Sequence, residues 1–167
     1  MKYIKYSLIL LVFGLVSCDL GSEPDIEGTK LQAMCGEWWV QVYDAAGKDQ
    51  DLGYHLLTTA NTADNNDTDL ITDDHGLLTP YDYPPIKVIS KVNLGGLLFN
   101  NTPDLPNLNA GESAVSILEG KIIKGVATTP GGNKTDSIYV KFEFKTVPGE
   151  QYVYAGYRRT GFREDEH

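Results

Sequence analysis

The stretch that decides the fold is "GEWWVQVYD" at residues 36–44, which is rich in aromatic and β-branched side chains and predicts a β-strand. The clearest alternation lies at 136–146, "DSIYVKFEFKT", where Ile138, Val140, Phe142 and Phe144 share one face. A period of two residues is typical of a half-buried strand whose apolar face lies on the core. These two segments predict an antiparallel, all-β domain.

Similar runs occur along most of the remaining chain, and turn residues such as Pro148-Gly149 separate them. They lie at 52–60, 68–74, 85–93, 97–100, 113–119, 121–129 and 150–162. About eight short strands at this spacing predict a β-sandwich or a β-barrel. Helical periodicity is confined to Thr29–Cys35, which predicts a short helical turn before the first strand. Gly120 is predicted to separate two strands.

The N-terminus has the residue pattern of an export signal. Lys2 and Lys5 form a basic head, and an apolar run of signal-peptide length follows. That run is shorter than the roughly 20 residues of a membrane span. Its end, "LVSC" at 15–18, resembles the bacterial lipobox, in which the cysteine is lipidated and the signal is cut before it. The sequence therefore predicts a signal peptide at 1–17, a lipidated tether at 18–28, lipid attachment at Cys18 and a barrel domain at 29–167.

The charge of the chain limits its partners. The formal net charge is −9, and removal of Lys2 and Lys5 with the signal leaves −11. This sign argues against nucleic acid and against electrostatic binding to anionic headgroups. Asp19 directly follows the cysteine, which resembles an inner-membrane retention signal of lipoproteins. The acidic residues within 23–27 instead resemble a signal for export to the cell surface. We expect an outer-membrane lipoprotein of a Gram-negative bacterium, with the leaflet left open.

The tripeptide Gly36-Glu37-Trp38 resembles the Gly-x-Trp signature of lipocalins and other calycins. The resemblance implies that Trp38 closes one end of a barrel and that an arginine from the last strand covers its indole, a cation–π contact worth about 0.5–2 kcal/mol. Only one of Arg158 and Arg159 can do so, because successive strand residues face opposite sides. We expect Arg159, which shares a face with Val153, Ala155 and Tyr157. Trp39 is then expected to point outward or under a loop.

Three features together resemble the bacterial lipoproteins grouped as lipid-binding putative hydrolases: the lipobox, "GEWWVQVYD", and "AGYRRTGFREDE" at 155–166. The resemblance implies a calycin-like antiparallel barrel that binds a lipid or another small hydrophobic ligand. An eight-stranded barrel is either filled by side chains or holds one small ligand. If the lumen is open, we expect apolar side chains to line it: Tyr54, Phe142, Phe144 and Tyr154. The alternative is a non-catalytic accessory protein with a filled barrel, whose protein partners the sequence does not identify.

The sequence contains no catalytic motif. No serine lies in Gly-x-Ser-x-Gly, although a set with His55 or His75 as base and Asp73 or Asp74 as its partner could assemble in space. A hydrolase with an unrecognised site therefore stays open as a second alternative. The acidic stretch 64–75 lacks the glycine of an EF-hand, and an irregular Ca²⁺ loop stays open there. One cysteine remaining after lipidation does not support a zinc site, and no cofactor is predicted.

Overall fold

The computed structural model describes residues 28–99 and 102–167. Over this range the chain forms eight strands joined by short loops. They are β1 (Gly36–Asp44), β2 (His55–Asn61), β3 (Asp69–Asp73), β4 (Lys87–Lys91), β5 (Thr102–Leu105), β6 (Val115–Thr128), β7 (Lys134–Phe144) and β8 (Gln151–Arg158). Three single 3-10 turns lie at Thr79–Tyr81, Leu94–Gly96 and Arg163–Asp165. The predicted all-β class is confirmed.

All eight strands belong to one antiparallel sheet, in the order β4-β3-β2-β1-β8-β7-β6-β5. The first strand is central because β1 pairs with β2 on one side and with the last strand, β8, on the other. The fully buried apolar residues of β1, β3, β4 and β7 alternate with more exposed ones and point to one side of the sheet, as the alternation predicts. The sheet curls around that side into a nearly closed, calycin-like barrel.

The barrel is open at one line, which we call the seam, between the edge strands β4 and β5. Within the described residues, no strand pairing joins these two edges. The loop after β5 bridges the seam at one end, where the Leu108 amide donates to the Lys87 carbonyl at 2.7 Å and the Asn107 side chain donates to Pro85 O at 2.7 Å.

The core lies inside the barrel and is built from large side chains that are fully buried. Trp38, Phe99, Phe142, Phe144 and Tyr154 are its largest members. The segment before β1 closes the Trp38 end of the barrel, since Leu31 and Met34 are also fully buried there. That segment is a pair of hydrogen-bonded turns, with Met34 N donating to Leu31 O at 2.7 Å, rather than a regular helix.

One strand prediction was wrong, and another was confirmed only in part. Gly120 does not separate strands but lies inside the single strand β6, where the Phe99 ring packs so closely that a Cβ on Gly120 would be 2.5 Å from it. In the segment 97–100, the structure shows an isolated bridge between Leu98 and Lys121 of β6, and the edge strand β5 lies at Thr102–Leu105. Its Pro103 cannot donate to a ladder, and proline is tolerated only at such edges.

Candidate functional site

Trp38 lies at the closed end of the barrel and is fully buried. Its indole N–H donates to Thr59 Oγ1 at 2.8 Å, and that hydroxyl donates to Met34 O at 2.6 Å. The guanidinium of Arg158 covers the indole, with its Cζ 4.8 Å from the ring centroid. The prediction that Arg159 covers Trp38 was therefore wrong.

The error has a physical cause. The apolar set on β8 that includes Tyr157 faces outward, where Tyr54 and the C-terminal residue cover it. Arg159 follows the end of β8, and its guanidinium lies 5.7 Å from the centroid of Trp39 on the outer side. It forms ion pairs there with Glu37 and Glu166, both at 2.7 Å.

The same contact favours glycine at position 36, because a Cβ there would lie 3.2 Å from Arg158 Cζ and would push the guanidinium aside by a few tenths of an ångström. Arg158 Nε also lies 3.3 Å from Asp136 Oδ2, which Lys124 Nζ approaches to 2.9 Å. Burial raises the pKa of Asp136, but the hydrogen bonds from Lys124 and the Gly125 amide and the charge of Arg158 outweigh it, so the pKa is lowered. The Gly-x-Trp motif thus belongs to a closed end of the barrel at which charged side chains lie over the tryptophan.

The residues expected to line a ligand pocket have different positions. Phe142, Phe144 and Tyr154 are in the core and pack on each other, with ring centroids 5.5 Å apart for the two phenylalanines and 4.6 Å for Phe142 and Tyr154. Tyr54 does not face the lumen, since it stacks on His167 outside the barrel at 4.1 Å. The three inner rings therefore fill the part of the lumen where a ligand was expected.

A carboxylic acid is buried beside these rings. Asp74 Oδ2 accepts the Tyr154 hydroxyl at 2.9 Å, and Oδ1 accepts the amides of Ile86 at 2.8 Å and Gly76 at 2.9 Å. Burial raises the pKa of Asp74 despite these three donors. The pKa of Tyr154 is also raised well above its ordinary value. Burial is the main cause, and the neighbouring Asp74 is the second. The pair fixes the 74–86 loop to β8 across the barrel.

An apolar concavity lies on the outer surface, on the β3–β4 hairpin next to the seam. Its volume is about 570 Å³, within the roughly 300–1,000 Å³ typical of small-molecule sites. We call it the seam cavity. It is lined by Thr62, Ala63, Asp64, Asp69, Ile71, Ile89, Lys91, Thr102 and Leu105.

The floor of the seam cavity is apolar and its rim is charged. Ile71 and Ile89 are cross-strand partners on the outer face of β3 and β4, where each is only half-buried. At the rim, Lys91 Nζ lies 2.5 Å from Asp69 Oδ1, and the hydrogen bond from Lys91 is the main cause that lowers the pKa of Asp69. Such a surface suits an amphiphile, whose apolar part covers the isoleucines while its polar part meets the ion pair.

The sequence contained a signal for this cavity. In "PIKVISKVN" Ile89 shares its face with Lys87 and Lys91, so an isoleucine occupies a position where a polar side chain is expected. The partner of that isoleucine across the hairpin is Ile71, and the position of β5 beside them depends on how the sheet closes. Neither could be deduced from the spacing.

The two candidate bases have separate partners. His55 Nε2 lies 2.9 Å from Leu52 O. His75 Nε2 lies 2.7 Å from Thr58 Oγ1, and its Nδ1 is 3.7 Å from Asp73 Oδ1. The structure thus brings a hydroxyl, an imidazole and a carboxylate together, although the hydroxyl belongs to a threonine. The imidazole is about half exposed, and Asp73 also pairs with Lys87 at 2.9 Å.

The carboxylates of the acidic stretch 64–75 point to different parts of the protein and do not converge on one site. Asp69 and Asp73 pair with lysines of β4, whereas Asp74 points into the core. In the part of the chain that the structure describes, no three such side chains are grouped to hold a metal ion. No helix within the same ranges is long and apolar enough to cross a membrane. Cys18 and the signal peptide predicted at 1–17 lie outside the described residues.

The fold and the site define a calycin-like barrel with a side-chain-filled core and an apolar outer cavity. Residues 23–163 match the family model described as lipid-binding putative hydrolase. The chain therefore belongs to that family, as the sequence motifs near its two ends predicted. No match was found among the curated proteins.

Proposed function

We propose that this protein is a lipid-anchored lipoprotein of the cell envelope, in the outer membrane, which binds a lipid or a similar small hydrophobic ligand in the seam cavity. The observation that carries the proposal is the cavity itself, with its paired isoleucine floor and charged rim. Membership of a lipid-binding family supports the ligand class. The "LVSC" sequence at 15–18 supports the anchor.

The ligand lies outside the filled lumen in this proposal. An acyl chain that covers Ile71, Ile89 and Leu105 removes apolar surface from water, and each buried methylene contributes about 0.8 kcal/mol. The polar end of a single-chain amphiphile then lies at the rim, where Lys91 and Asp69 offer a donor and an acceptor. A ligand bound in this way fills the outer side of the barrel at the line where the sheet is not closed.

The test is titration of the purified protein with a fluorescent single-chain fatty acid, combined with native mass spectrometry for retained ligand. Ile89→Trp fills the cavity and should weaken binding at least about tenfold, the change expected for losing about 1.4 kcal/mol. Val126→Trp is the matched control, because Val126 is an exposed apolar residue that does not line the cavity. Equal affinity of the wild type and Ile89→Trp refutes this site.

A second candidate function is ester hydrolysis at Thr58, and the specific observation in its favour is the 2.7 Å contact with His75. The 3.7 Å separation between His75 and Asp73, and the Lys87 ion pair on that carboxylate, count against it. We expect His75→Ala and His55→Ala to leave ligand binding unchanged. Turnover of an ester panel by the wild type, lost on His75→Ala, establishes the hydrolase instead.

A further inference from the structure

In the part of the chain that the structure describes, the large exposed apolar side chains lie at the two ends of the barrel. Ile123, Val126 and Phe162 belong to β6 and the C-terminal tail near the Trp38 end, and they are 43, 56 and 54% exposed. The other two large exposed apolar residues of the described chain, Tyr81 and Leu108, lie at the opposite end. The two ends can therefore be compared directly.

The N-terminal segment reaches the barrel at the Trp38 end. Lys124 Nζ, on β6 between the two exposed aliphatic residues, donates to Ala33 O at 2.8 Å. The Lys30 amide donates to Asn65 Oδ1 in the loop between β2 and β3 at 3.1 Å. Gly28 is ten residues after Cys18, so the chain between them reaches at most about 35 Å. An anchor at Cys18 therefore limits how far this end can move from the bilayer.

Lys124, Asp136, Arg158 and Arg159 lie near the apolar residues and their charges are paired, although the whole chain carries −9. Arg163 and Glu164, which follow Phe162, carry opposite charges. Asp136 is shared by Lys124 and Arg158. Arg159 binds two carboxylates, those of Glu37 and Glu166. Paired charges present little net field to a membrane surface, and the apolar side chains between them are the residues that such a surface can bury.

We infer that the Trp38 end is a membrane-facing surface, and that Ile123, Val126 and Phe162 lie in the interface of the bilayer that holds the anchor. This inference rests on the lipid anchor of the proposed function, but not on the seam cavity. It has one consequence for that cavity. Asp64 and Lys91 lie at the same end of the barrel as the N-terminal segment, so the charged rim faces the lipid from which an amphiphile would enter.

The experiment places a fluorophore at matched positions on the two ends. Val126→Cys and Leu108→Cys are each made in a chain that also carries Cys35→Ala, labelled with the environment-sensitive dye NBD and reconstituted into phosphatidylcholine vesicles. Cys18 remains available for lipidation in the cell. We expect a blue-shifted emission that nitroxide-labelled lipids quench at position 126, and neither effect at position 108.

The outcomes separate the surface from its anchor. A chain that stays with the vesicles but shows the same emission at both positions overturns the membrane-facing surface and leaves the anchor standing. A chain that does not float with the vesicles overturns both. A blue shift at position 126 that appears in a Cys18→Ser chain without vesicles, and grows with protein concentration, assigns the surface to a second copy of the chain and also overturns the inference.

Discussion

Arg158→Ala should destabilise the fold far more than Arg159→Ala, although the two arginines are adjacent. Arg158 lies over a fully buried indole and beside a half-buried carboxylate. Arg159 makes shorter ion pairs, but on the outer surface. The ion-pair distances alone therefore suggest the opposite order.

The magnitude for Arg158 follows from its two contacts. A cation–π contact on a desolvated ring is worth about 2 kcal/mol. The ion pair with Asp136 adds about 1 kcal/mol, and no more, because Lys124 still binds that carboxylate after the substitution. The sum of about 3 kcal/mol is a large share of the roughly 5–15 kcal/mol that stabilises a domain. The exposed ion pairs of Arg159 are screened by water and should contribute much less.

The assay is urea unfolding of both variants and the wild type, each in a soluble Cys18→Ser chain, followed by tryptophan fluorescence. A denaturant slope of about 2 kcal/mol per molar predicts that the midpoint for Arg158→Ala falls by about 1.5 M. Arg158→Lys keeps the charge but not the planar group and should give an intermediate loss. Equal midpoints for the two alanine variants, or a lower one for Arg159→Ala, refute the assignment of the closing arginine.

Three further predictions concern the anchor and two buried carboxylates. Cys18→Ser should move the protein from the membrane to the soluble fraction on cell fractionation, and persistence in the membrane contradicts lipidation. Asp74→Asn should leave the stability of the fold at neutral pH unchanged or increased. Burial raises the pKa of Asp74 in the folded protein, so ionisation of this carboxyl group costs stability as the pH rises above the ordinary pKa of an aspartic acid. Asp74→Ala, which leaves three buried donors unpaired, should be destabilising in thermal melts. Burial raises the pKa of Asp165, but hydrogen bonds from Thr129, Thr160, Asn133 and the Gly131 amide outweigh it and hold the pKa at about 2. The C-terminal tail should therefore loosen as the pH falls from about 4 toward 2. Hydrogen exchange of the tail that stays unchanged over this range contradicts the prediction.

The strands with strong local patterns could be predicted from the sequence. The bounds of β1 were predicted as 36–44, because aromatic and β-branched residues make up most of that segment. β7 was predicted from its alternation, since each buried residue is two positions from the next. In both cases the information is local to the strand.

The errors concern positions that tertiary packing decides. Glycine usually punctuates strands, but the one at 120 is needed because Phe99 lies against it. The outward apolar face of β8 looked like a core face, because the C-terminal tail and Tyr54 cover Tyr157 from outside. The seam cavity depends on which two strands remain unpaired, and that is decided only when the whole sheet has formed.

The pairing of the first strand with the last has a consequence for the order in which the protein is made. Seven of the nine residues of β1 are in register with β8, so this ladder cannot form until almost the whole chain has been synthesised. Contacts this distant in sequence are slow to form during folding. Until Arg158 has been synthesised, its guanidinium cannot pack on the indole of Trp38, and the growing chain cannot complete its native fold. An exported chain must cross a membrane before it folds, so a delay of this kind is compatible with the export that we propose for this protein.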